Sequence, residues 1–104
     1  MMKILAAALL SLASAHASAV EFAYLPDASK LTWQMQGGTV FLRNLNQFNG
    51  NFLPCCYNFS IDTTTPTGKV QWATLLAKIT AGQPIYIGVD DPAQISAVAY
   101  LGLW

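Results

Sequence analysis

Apolar and polar positions alternate with a period of two over much of the chain, the signature of half-buried strands. A first strand is predicted at Val20–Tyr24, and Leu25-Pro26-Asp27-Ala28 then reads as a turn, with Pro presetting φ and Asp bonding the local backbone. A second strand is expected over Leu31–Gln36, broken by Gly37-Gly38, and a third over Thr39–Leu45. Asn49-Gly50 is a hairpin signal, because both residues tolerate positive φ. It predicts that Phe52–Asp62 runs back antiparallel. Tyr57, Phe59 and Ile61 would face one side there, and Cys56, Asn58, Ser60 and Asp62 the other, with Pro54 marking a bulge or edge.

The period then changes. Trp72, Leu75, Leu76 and Ile79 fall on one face of a helix expected over Lys69–Ala81. Gly82 suits the left-handed cap, Pro84 prevents continuation, and Lys78 complements the dipole in the last turn. Alternation resumes at Pro84–Asp90, Asp90-Asp91-Pro92 turns the chain, and Ile95–Leu103 reads as a last strand apolar on both faces. The expectation is a mainly β domain with one helix, built as a small OB-like β-barrel in which strands precede the helix and two strands follow it.

The first residues follow another pattern. Lys3 gives a positive start, Ile4–Ala15 is apolar, and Ala15-His16-Ala17 and Ala17-Ser18-Ala19 offer small-x-small cleavage sites. Residues 1–19 therefore read as a secretory signal peptide, cut after Ala19 or, second, Ala17. The apolar run is shorter than the roughly 20 residues that span a bilayer, and no later segment is long enough for a stable membrane span. The expected location is secreted or periplasmic, in a bacterium. Residues 20–104 make one small domain with little core of its own. Its four positive side chains face five negative ones, a net charge of −1. That argues against nucleic acid as a partner. Sparse charge and many aromatics instead favour self-association as a homo-oligomer.

The stretch Gly68–Val89, with Gly38-Thr39-Val40 before it and Gly82-Gln83-Pro84-Ile85 at the helix stop, resembles the B subunits of AB5 toxins, of the subtilase-cytotoxin type. The resemblance covers about the last two thirds of residues 20–104. It implies an OB fold, a ring pentamer, and glycan binding on a barrel face. The family's sugar-holding Ser and Tyr would fall near Gly38 and at Gly88 or Val89, so no sialic-acid site carries over. The family's disulfide also joins separated cysteines, whereas Cys55 and Cys56 are adjacent.

His16, the only histidine, lies in the leader, so the domain has neither a His base nor a partner to activate a Cys nucleophile. No catalytic residue, metal site or cofactor site is assigned, and the chain is expected not to be an enzyme. Asp90-Asp91 with Gln94 offers too few oxygens for calcium and reads as a solvated turn. Cys55 and Cys56 have three readings: one buried and one free, a vicinal disulfide, or a link to another chain. Asn44, Asn46, Gln47, Asn49 and Asn51, interleaved with Phe48 and Phe52, form an amide run suited to sugar hydroxyls, or else an ordinary polar hairpin tip. Trp33, Tyr86, Tyr100 and Trp104 read first as core or interface, and Tyr86 also joins the candidate ligand set. The function expected is a binding module for a glycan or a secreted protein, with a structural accessory or inhibitor of the cell envelope as the alternative.

Overall fold

The computed structural model describes residues 19–104; the predicted signal peptide at 1–19 lies, but for Ala19, outside them. Among the described residues no helix is long and apolar enough to cross a membrane. The elements run β1 (Glu21–Leu25), a 3-10 turn (Ala28–Lys30), β2 (Trp33–Gln36), β3 (Thr39–Leu42), a second 3-10 turn (Leu45–Gln47) and β4 (Phe59–Asp62). Then come α1 (Pro66–Ala81), β5 (Ile85–Val89), β6 (Ser96–Ala97) and β7 (Tyr100–Gly102). The fold is mainly β with one helix, as expected. Its strands form two sheets, ordered β1-β5-β7 and β2-β3-β4-β6, and not a closed barrel.

Strand alternation builds the core. Ala23 and Leu25 of β1, Ile85, Ile87 and Val89 of β5, Val40 and Leu42 of β3, and Phe59 and Ile61 of β4 all turn inward and are buried. Trp72 and Leu75 close the core from α1, with Ile79 packed against it. Leu76, on the same stripe, stays at the rim and is exposed. The helix begins earlier than its apolar spacing shows. Thr65 caps it, its hydroxyl accepting from Gly68 N at 3.0 Å, and Pro66 occupies the first turn, where its missing N–H costs nothing. Gly82 ends it at φ +62°, as the sequence predicts.

Two expectations give way to tertiary contacts. Asn49-Gly50 is not a hairpin between two long strands. Asn49 Nδ2 donates to Phe22 O (3.0 Å) and Glu21 Oε1 (3.2 Å), which fastens the segment across the end of β1. Leu45 and Phe52 are buried, with Phe48 and Leu53 packed against the same core, so residues 43–58 plug it and β4 starts only at Phe59. The last strand is also broken. Ser96–Ala97 pairs in parallel with β4, Val98 is buried, and Tyr100–Gly102 pairs antiparallel with β5. Val98 N donates to Ser60 O and Ala99 N to Gly88 O, so this two-residue step passes the chain from one sheet to the other. Ile95 is 77 % exposed, against the expectation of a strand covered on both faces.

Candidate functional site: an aromatic sheet face

The outward positions of the β1-β5-β7 sheet are almost all aromatic or glycine. The register sets Phe22, Gly88 and Tyr100 in one row and Tyr24, Tyr86 and Gly102 in the next. Trp104 folds back over Gly102. Its ring stacks on Tyr86 (centroids 4.6 Å, planes 16° apart) and meets Phe22 edge-on at 5.2 Å. Tyr24 tilts against Tyr86 at 4.6 Å, and Phe22 leans on Tyr100 at 5.7 Å. The five rings form one connected array.

The two glycines are what make room for the rings. A Cβ on Gly88 would stand 2.6 Å from the Phe22 ring, and one on Gly102 would stand 2.8 Å from the Trp104 ring. Each ring therefore occupies the space that a side chain would need. The array remains open to solvent: Tyr24 is 42 %, Tyr100 43 % and Trp104 70 % exposed. Such a surface offers π faces for stacking and phenolic groups for hydrogen bonds at its margin. One phenol is engaged, since Tyr100 OH donates to Asp90 Oδ1 at 3.4 Å.

The amide run divides around this face. Asn49 and Asn51 sit at its Phe22 end, where both donate to Glu21. Asn44 lies elsewhere and is 6 % exposed. Its oxygen accepts from Thr32 N, and its nitrogen donates to Lys30 O (3.0 Å) and Gln47 Oε1 (3.2 Å). These bonds tie the approach to β2 to the end of β3 and leave the Asn44 amide no outward role. Gln47 is exposed beside it and Asn46 is half-buried. Tyr86 is the one predicted site residue at the centre of the array. Phe22, Tyr24, Tyr100 and Trp104 join it only once the strand register is known. Their signal in the sequence was the aromatic alternation in the first and last strands.

Cys55 and Cys56 are joined to each other, and no free cysteine remains among the described residues. They lie in the plug, outside any strand, so the strand geometry that would turn them to opposite faces does not apply. A cleft of about 390 Å³ opens at the start of α1, lined by Pro66, Thr67, Val70 and Gln71. Its walls are mostly apolar, and the Gln71 amide is spent on Val98 O (3.2 Å). It lacks the converging polar groups of an active site. Two carboxylates do have lowered pKa values. Hydrogen bonds from the side chain and backbone of Ser29 hold Asp27 below its usual value, and those of Thr64 do the same for Asp62. Both are turn caps at the surface, Asp27 half-buried and Asp62 exposed, and their shifts follow from capping.

No protein-family model, curated protein or solved structure matches this chain.

Proposed function

We propose that this chain is an exported, non-enzymatic binding module that takes a carbohydrate on the aromatic face of the β1-β5-β7 sheet. The observation that carries the reading is the connected array of Tyr24, Tyr86, Trp104, Phe22 and Tyr100, given room by Gly88 and Gly102 and open to solvent. Sugars present C–H faces that stack on rings and hydroxyls that pair with phenols and amides. Tyr24 and Tyr86 supply rings and phenols, while the Asn49 amide is held by Glu21, Phe22 O and Asn51 N and serves to position the margin.

The strand pairings support an OB-like architecture behind that face. Taking β1 and β2 as halves of one strand bent at Pro26–Leu31, and β6 and β7 as halves of another bent at Val98–Ala99, the antiparallel and parallel neighbours follow the OB order.

A glycan array probed with the protein tests the function. Binding that falls at least about tenfold in Trp104→Ala, the scale for loss of an aromatic anchor, supports the assignment. Failure of the wild type on the array, or binding indifferent to Trp104→Ala and Tyr24→Ala, removes it. The first of those results favours the envelope-accessory reading.

A further inference from the structure

The outer edge of β2 is open. In the β2–β3 ladder Arg43 N donates to Thr32 O at 2.8 Å, which marks Thr32 and Arg43 as a hydrogen-bonded pair. Antiparallel ladders alternate such pairs with non-bonded ones. Gln34↔Phe41 and Gln36↔Thr39 are therefore bonded pairs, while Trp33↔Leu42 and Met35↔Val40 are not. The backbone N–H and C=O groups of Trp33 and Met35 consequently point away from β3. β2 is an end strand of its sheet, and no backbone group elsewhere among the described residues bonds to those two residues. Their side chains are exposed as well, Trp33 by 41 % and Met35 by 48 %.

Folded proteins blunt such edges with charge, proline or a bulge. Trp33-Gln34-Met35-Gln36 has no charge and no proline, and it pairs with β3 in unbroken register. We infer that β2 is a dimerisation strand that adds antiparallel to β2 of a second copy, centred on Gln34. This register alone puts the outward backbone groups of Trp33 opposite those of Met35 in the other copy, and the reverse, so both narrow pairs form under one two-fold axis. The side chains match in the same register. Trp33 meets a methionine thioether on the face that carries Trp72, where sulfur–aromatic contact is favourable. Gln34 meets its own copy on the opposite face; its oxygen accepts from Tyr57 OH at 3.2 Å, its NH2 group stays available across the axis, and no like charges are opposed. An extended peptide from another protein would satisfy the backbone, but it would not supply this symmetric match. The inference is independent of the carbohydrate reading, which concerns the other sheet.

Light scattering on protein expressed from the full-length sequence tests it, with Met35→Pro as the principal variant. That proline deletes an N–H that β3 does not use, so the β2–β3 hairpin is retained, as circular dichroism will check. The expected result is a wild type with the mass of two chains and a Met35→Pro variant with the mass of one. Gln34→Lys and Gln34→Glu should each dissociate several-fold more readily, and mixing the two should restore the pair. A monomeric wild type overturns the inference. So does an odd-numbered ring, which a two-fold strand pair does not build. A dimer unaffected by Met35→Pro, or unaffected by both charged variants, overturns it as well.

Discussion

Gly68 is the third residue of α1, where helix propensity alone favours alanine by about 1 kcal/mol. The structure reverses that sign. A Cβ at Gly68 would lie 1.7 Å from the carbonyl oxygen of Asp62, the last residue of β4, and backbone does not yield as a side-chain tip does. That oxygen also accepts from the Thr65 hydroxyl (2.9 Å) and from Thr65 N (3.3 Å), while the same hydroxyl accepts from Gly68 N. Moving the carbonyl aside to admit a methyl therefore strains the strand-to-helix corner and disturbs the cap together. Overpacking costs about 1–3 kcal/mol, a lost N-cap about 1 kcal/mol, and a weakened hydrogen bond to the Asp62 carbonyl about 1 kcal/mol. After the propensity gain, Gly68→Ala should lose about 2–4 kcal/mol. Urea denaturation followed by far-ultraviolet circular dichroism measures this, with a lowered midpoint at unchanged slope as the expected outcome. A Gly68→Ala protein as stable as the parent, or more so, would refute the close β4–α1 corner and the argument built on it.

Other outcomes follow from single residues. Asn44→Ala leaves Thr32 N and Lys30 O without their side-chain partner in a part-buried site and should cost about 1–3 kcal/mol in the same urea assay. Gly88→Ala should destabilise by about 1–3 kcal/mol and change the near-ultraviolet aromatic signal, because its methyl displaces Phe22 and presses on Tyr100 Cβ, 3.0 Å away. Gly102→Ala displaces only the exposed Trp104 ring, so carbohydrate affinity should fall far more than stability. Asp27 and Asp62 titrate below 3.8 in the folded protein, so their capping contribution is complete above the unfolded carboxylate pKa and fades as pH falls through the lower folded values. Thermal melts should be insensitive to these two groups from pH 7 to 5 and show their loss below about pH 4; Asp62→Ala should reduce that acid-side loss.

Local pattern was enough for much of this fold. The apolar alternation of β1, β3 and β5, the Gly37-Gly38 turn, and the Gly82 stop of α1 each follow from a few neighbouring residues, and all stand in the structure. The start of α1 was harder to read, because Thr65, Pro66 and Gly68 look like a loop until the cap geometry shows that they suit a first helical turn. Asn49-Gly50 misled for a related reason. The dipeptide tolerates a hairpin, but Asn49 bonds instead to β1, which no local window contains.

The candidate site lay still further from local reading. The sequence by itself determined that Phe22, Tyr24, Tyr86 and Tyr100 stand at alternating positions in strands, and that Gly88 and Gly102 carry no side chain. It did not determine that these residues share a face. That required the pairing of Phe22 with Gly88 and of Tyr86 with Gly102, contacts between strands far apart in the chain. It also required Trp104 to turn back over the second glycine. The same holds for β2, whose sequence predicts a strand while only the sheet order leaves its outer edge open. A strand's pattern is local because its backbone alternates every residue. Its neighbours are set by closure of the whole core, and on this protein both candidate surfaces are made of neighbours.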